Sequence, residues 1–496
     1  MNNFFKLSGP VRKPSLLVSL APVALLLGFF IAVIVFLGAS AISDFSSIAL
    51  LASSGLALIL SLLTRGLGRR GIRLGMVRSA RQIMPAVPML VCIAMVATTW
   101  MLSGVVPTLI EYGLMILSPQ FFLVVTCVVC AIISVLTGSS WSTIATIGVA
   151  FMGIGTILGF STGWIAGAII SGAYFGDKVS PLSDTTVVAS SACGVDLFKH
   201  IRYLMLTAMP AMIIALLVYL IVGLNLNPTS ELSTGHIMEQ LNNIFVISPW
   251  TLIIPVLTIA LILLRVPTIL VLFMSAMSGM IGIYIFQPQL LAQLSSSAAT
   301  FGEHLRFIAT TLWSGAEFTT GNGMFDELVS TSGITGMLST ISLVLSAMIF
   351  GSVMIGTGML ATITTAITSR LRGRFAIVGS TVAGGLCLNS CTADQYLSII
   401  IGGNMFRNVY RRFGLEPRLL SRTLEDSVSV TSVLIPWNSC GVTQSTVLGV
   451  ATVVYFPFCI FNYLSPLMSL LMAFTGFRIR QTSSAPIPSP VRVPSL

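Results

Sequence analysis

Charge is what this sequence has least of. Of 496 residues, 25 are Lys or Arg and 15 are Asp or Glu, only 8% in total, while 55% are hydrophobic. A soluble domain carries about a quarter charged residues, so a chain this long could not cover its own surface in water. That excludes a soluble enzyme. Cysteine is thin too: eight are scattered along the chain, which excludes a disulfide scaffold. Cys127 and Cys130 form a C-x-x-C inside the apolar run Phe121 to Leu136, where cysteine packs as a small hydrophobe. The three histidines, His200, His236 and His304, fall in interfacial or loop stretches without shared ligand spacing, so they give no zinc pattern. Glycine has no strict period and apolar residues dominate, which excludes collagen and disorder.

What the sequence does have is long charge-free runs. A helix crossing hydrocarbon needs about 20 apolar residues. Stretches 14–43, 45–64, 82–110, 203–230 and 240–264 can each hold one span, and 112–176, 266–302, 328–369 and 427–477 hold one to three. The fold expected is an all-α polytopic membrane protein with about ten to thirteen transmembrane or re-entrant helices. Lys6, Arg12 and Lys13 precede the first run as they would a signal peptide, but Leu16 to Leu37 spans 22 residues, beyond an h-region of about 7–15. It reads as a retained first helix.

The basic residues sit between the runs. Arg65, Arg69, Arg70, Arg73, Arg78 and Arg81 fill one loop, Arg370, Arg372 and Arg374 a second, and Arg407, Arg411, Arg412, Arg418 and Arg422 a third. Such loops stay in the cytoplasm, as do both termini, Lys199 to Arg202 and Arg265 on this reading. A net charge of +10 therefore reports topology, not nucleic acid. The organisation expected is a cytoplasmic segment (1–14), a first membrane half (15–224), an extracytoplasmic connection (225–249), a second half (250–477) and a disordered cytoplasmic tail (478–496). No cofactor is implied; the bilayer is the partner, and a homodimer is left open.

Ionisable residues inside a membrane cost about 2.5–3.5 kcal/mol each on the permissive insertion scale and usually mark ion or substrate paths. Four polar islands interrupt the apolar sequence: Thr137–Thr143, Gly176–Thr186, Asn389–Gln395, and Glu425–Ser432 running on to Pro436–Ser439. In the second, Gly176 and Pro181 are expected to stop a helix, and Pro436 to do so in the fourth. A broken helix exposes carbonyls and N–H groups, tolerated in a bilayer only when buried in protein or lining a cavity, and transporters use such ends to coordinate cations. The hydroxyls and carboxylates of this island are hard ligands. Ser and Thr also glue membrane helices together, and Asp177 beside Lys178 also fits a neutralised pair or a short loop reaching water. Asp177–Ser183 matches Asp426–Ser432 at four of seven positions, 249 residues apart, as two inverted-topology repeats would.

These motifs resemble a known family. Ser171–Thr186, and Ser421–Asp426 through Leu434–Gly441, are similar to two long signatures of the NhaC family of sodium/proton antiporters. Thr137–Trp141, Asp394–Ser398, and Trp313–Gly315 with Thr320–Asn322 resemble its shorter motifs, and the resemblance spans roughly 80–460. The sequence departs from the family at Val187, where Asn is expected, Ala393, where Gly is expected, and Val433, where Pro is expected. The resemblance implies an inner-membrane carrier of inverted repeats that exchanges cytoplasmic Na⁺ for external protons, with no catalytic residue. A desolvated carboxylate holds its proton more tightly, so proton and cation compete for one site. Asp177, Asp184 and Asp426 are the expected exchanging acids and Asp394 the next candidate. Ser180, Thr185, Ser429 and Asn438 are the neutral ligands of a Na⁺ site, and Lys178 compensates charge. Glu425 is expected to cap or to pair with Arg422, and Asp326 and Glu327 to lie at the surface.

Three other readings compete. Some proteins of this family are associated with exchange of malate and lactate, but an anion would want Arg, and none lies in the islands. An intramembrane aspartyl hydrolase could use paired carboxylates. A channel suits fast permeation better than a buried acid pair does.

Overall fold

Backbone in hydrocarbon must satisfy its own N–H and C=O groups, so apolar runs become helices. The computed structural model describes residues 14–38, 41–64, 77, 84, 86–225, 234–295, 301–318, 326, 329–368 and 373–479. The arginine loop at 65–81, Arg370, Arg372, Thr320–Asn322, Glu327 and the tail from Arg480 lie outside these residues. Among the described residues the regular structure is helical, with one isolated bridge between Ala316 and Thr331. Among the described residues eight helices are long and apolar enough to cross a membrane, or up to 11 when three sharply bent pairs each count as one span. Eleven falls within the expected range; the eight alone do not. Leu16–Leu37 forms one helix of 22 residues. Its Phe30 stacks on Trp437 at 4.6 Å and 10°, so it is packed into the second half of the bundle.

Two runs of five helices build the site. The first comprises α1 (Phe122–Thr137), α2 (Ser140–Ile157, with a π-helical turn at Ile144–Gly148), α3 (Thr162–Val179), α4 (Asp184–Cys193) and α5 (Leu197–Asn225). The second comprises α6 (Gly373–Thr392), α7 (Gln395–Arg412), α8 (Pro417–Leu424, continued by a π turn at Glu425–Ser429), α9 (Ser439–Leu448) and, beyond a short bent segment, α10 (Ile460–Thr475). Helix α3 lies directly on α1: a Cβ on Gly172 would collide with the Cys127 carbonyl, and one on Gly176 with the Ala131 carbonyl. Small residues four apart let membrane helices approach this closely. Gly176 therefore does not break α3, contrary to the expectation from sequence. It is helical, and the break comes at Ser180–Ser183 around Pro181. Cys127 and Cys130 are buried in α1, consistent with packing.

The turns of the two runs are built alike. Gly138, left-handed at φ 67°, ends α1 by donating its N–H to Ser134 O (2.8 Å), and Ser139 caps α2 by accepting from Ser142 N (3.3 Å). Ala393, left-handed at φ 53°, follows α6 and donates its N–H to Asn389 O (3.0 Å), and Asp394 caps α7 by accepting from Leu397 N (2.8 Å). Thr137 Oγ1 accepts from Ser139 N (3.2 Å) as Thr392 Oγ1 does from Asp394 N (3.4 Å). Ser183 then caps α4 and Asn438 caps α9, each 44 residues after the first cap and two after a proline. The matched geometry pairs Thr137 with Thr392, Ser139 with Asp394, Pro181 with Pro436 and Ser183 with Asn438, an offset of 255 residues. The offset of 249, which aligned Asp177 with Asp426, matched letters rather than turns.

Candidate cation and proton site

Asp177 closes the last turn of α3 and is 8% exposed. Its Oδ2 accepts from Ser140 Oγ (2.7 Å) and Ser140 N (3.2 Å), at the start of α2. Ser183 and Asp184, across the break, stand beside the same carboxyl. The break itself is tied down by Ser180, whose Oγ donates to Val135 O (2.7 Å) and accepts from Leu182 N (3.2 Å). Thr185 Oγ1 lies 3.0 Å from Ser183 Oγ. One carboxylate, three hydroxyls and a freshly ended helix thus converge where α1, α2, α3 and α4 meet.

Lys178, the next residue, points the other way. Its buried ammonium forms an ion pair with Asp426 and donates to Ser465 Oγ (2.5 Å). Asp426 Oδ1 also accepts from Ser465 Oγ (2.9 Å) and Thr207 Oγ1 (3.1 Å), and Oδ2 from Ser469 Oγ (2.5 Å). Arg422 Nε lies 3.9 Å from that oxygen, and its guanidinium stacks on Tyr203 at 4.5 Å. Asp426 is therefore surrounded by donors. The pair joins α3 of the first run to the π turn of the second, two residues 248 apart in sequence.

The other predicted groups occupy helix ends. Asp394 is buried, with its Oδ2 3.4 Å from Ser439 Oγ, besides capping α7. Asn438 Oδ1 accepts from Cys440 N (3.1 Å) and its amide donates to Asn389 O (3.2 Å). The carbonyls freed by the irregular segment after α8 are met by side chains: Asn389 on Val428 O (2.7 Å), Asn462 on Val430 O (2.7 Å) and Tyr455 on Val433 O (2.8 Å). Val433, at its departure from the family pattern, is buried in that segment, while Val187 is 40% exposed.

Asp184 is the open member of the set. It lines a cavity of about 220 Å³ with Thr137, Ser142, Arg265 and Thr268. Sequence reasoning marked Ser140 only as part of the Thr137–Thr143 island, and missed Ser465, Ser469 and Thr207. The i, i+4 serines of α10 in an otherwise apolar run were the available signal. It also missed the burial of His200, which is fully enclosed and bonds Ser421 Oγ at 2.8 Å. Among the described residues no three His, Cys, Asp or Glu side chains group as metal ligands.

The sequence matches the Na⁺/H⁺ antiporter family over residues 10–193 and 172–477. This chain belongs to the Na⁺/H⁺ antiporter family. It is 37% identical to a protein of Alkalihalophilus pseudofirmus named Na⁺/H⁺ antiporter NhaC, over 80% of this chain and 83% of the relative. It is 32% identical to an NhaC of Bacillus subtilis, over 82% and 87%. It is also 33% identical to a malate-2H⁺/Na⁺-lactate antiporter of Bacillus subtilis, over 82% and 86%. The family consists of transporters rather than enzymes, so the buried acids belong to a multi-pass membrane antiporter and the hydrolase reading falls away.

Proposed function

We propose that the chain exchanges cytoplasmic Na⁺ for external protons across an inner membrane, by alternating access between two inverted repeats, with both termini in the cytoplasm. The observation that carries this reading is Asp177: a carboxyl 8% exposed, at a helix break, held by one serine and facing a second acid. A proton on Asp177 neutralises the buried charge when no cation is bound. A cation entering past Asp184 takes the proton's place, because Asp177 cannot be left as an isolated charge in low dielectric. One site then serves two ions in turn. Thr185 and Ser429 supply neutral oxygens, and Ser180, Asn438 and Asp394 hold the broken ends in register. Asp426 serves through Lys178, a fixed counter-charge that keeps the two runs together while Asp177 changes state. The recurrence of caps supports the repeats, and the basic loops support the cytoplasmic termini.

A second reading has its own observation. Arg265 and Asp184 line one cavity, which supplies the cation that an organic acid needs and that the polar islands lack; one relative is named for malate and lactate exchange. The two readings separate in liposomes with an acidic interior and an internal pH dye. Alkalinisation on adding Na⁺ or Li⁺ salts alone supports cation/proton exchange. Alkalinisation that requires lactate or malate, and disappears in Arg265→Gln, supports the organic-acid carrier.

A further inference from the structure

Glu425 opens the π turn after α8 and is fully buried, yet neither carboxylate oxygen receives a hydrogen bond. An unpaired carboxylate out of water is strongly unfavourable. Neither nearby cation bonds it: Lys178 is held by Asp426 and Ser465, while Arg422 lies on the Tyr203 ring with its Nε 3.9 Å from Asp426 and with Nε and one terminal nitrogen making no hydrogen bond. The pairing with Arg422 that the spacing suggested is therefore not formed. Around Glu425 stand the hydroxyls of Thr185 on α4 and Ser429 on its own π turn, with Asp177, Lys178 and Cys193 the other titratable groups facing it. Ser429 Oγ is likewise buried without a partner. π turns inserted in helices are frequent at functional sites, and here one places two unpartnered oxygen ligands beside a third from the opposite run. A carboxylate with two hydroxyls suits a hard cation.

We infer that Glu425, Ser429 and Thr185 form a binding site for the transported alkali cation, with Glu425 as its negative ligand. The inference rests on the proposed cation exchange for the identity of the ion. A cation here bridges α4 of the first run and the π turn of the second.

The test is binding of radioactive Na⁺ to the purified full-length protein, with Li⁺ and K⁺ as competitors, in the wild type, Glu425→Gln, Glu425→Asp, Ser429→Ala and Asp177→Asn. Glu425→Gln is expected to weaken Na⁺ binding by about tenfold or more. Glu425→Asp keeps the charge on a shorter stem, so it retains binding but changes the Li⁺-to-Na⁺ preference, which a merely structural role would not do. Na⁺ affinity in Glu425→Gln equal to wild type overturns the inference. If that variant is not recovered folded, Ser429→Ala and Glu425→Asp decide: weakened binding in the first with altered preference in the second supports the site, and wild-type behaviour in both overturns it. Asp177→Asn separates the two claims. Binding lost there but kept in Glu425→Gln removes this site and leaves the exchange at Asp177, and the reverse pattern keeps this site and removes the role of Asp177.

Discussion

Among single residues, some buried charges are fixed by their partners and others are free to change partner. Lys178 and Asp426 are fixed, with three hydroxyls from α5 and α10 completing the carboxylate's shell. Breaking a buried pair by removing one partner costs about 3–5 kcal/mol, whereas replacing both by apolar groups is often neutral. Lys178→Met and Asp426→Leu are each predicted to lower the thermal unfolding midpoint in detergent, and the double variant to recover most of the loss. Additive losses would show that the pair is not the coupled unit described. The acids themselves were legible in the sequence, because charge in an apolar run stands out. Their pairing was not: Lys178 adjoins Asp177 in sequence but bonds Asp426, since successive side chains on a helix point about 100° apart and the partner lies on a distant segment. The spacing of Glu425 to Arg422 likewise suggests a contact that the fold does not make.

At the scale of elements, left-handed turns and glycine contacts fix how helices end and meet. Ala393 adopts φ 53° where the equivalent turn of the first run has Gly138. A left-handed L-residue costs roughly 1–2 kcal/mol, so Ala393→Gly is predicted to stabilise the protein by roughly 0.5–1 kcal/mol, read as a higher unfolding midpoint. A lower midpoint would contradict the turn geometry. Gly172 meets the Cys127 carbonyl with no room for a side chain. Gly172→Leu is accordingly predicted to separate α3 from α1 and to reduce the yield of folded protein sharply, while Gly302→Ala, where a Cβ meets nothing within 4 Å, leaves it unchanged. Where helices break was half legible. Pro181 and Pro436 marked the turns correctly, but Gly176 was misread because glycine within a membrane helix signals close packing as readily as a stop. The recurrence of turns escaped letter matching because Ser139 and Asp394, or Ser183 and Asn438, are different residues that cap a helix in the same way.

At the scale of the whole molecule, the membrane class and the family follow from composition and from the long signatures, and both agree with the helical structure and the antiporter relatives. The orientation rests on the basic loops. Lys199→Cys and Asn243→Cys place exposed thiols in the first turn of α5 and in the connection beyond it, and the native cysteines are buried or half-buried. An impermeant maleimide added to whole cells is predicted to label Asn243→Cys and not Lys199→Cys; the opposite result would invert the topology. The number of spans was less legible, because helices that bend by 66°, 82° and 90° at short breaks leave the same apolar trace as straight ones.

The central claim is that Asp177 carries the exchanged charge. Its most direct measurement compares Na⁺-driven proton flux in liposomes containing wild type or Asp177→Asn, at equal amounts of folded protein. The account predicts alkalinisation of an acidic interior by wild type and none by the variant. Equal flux from both would contradict it.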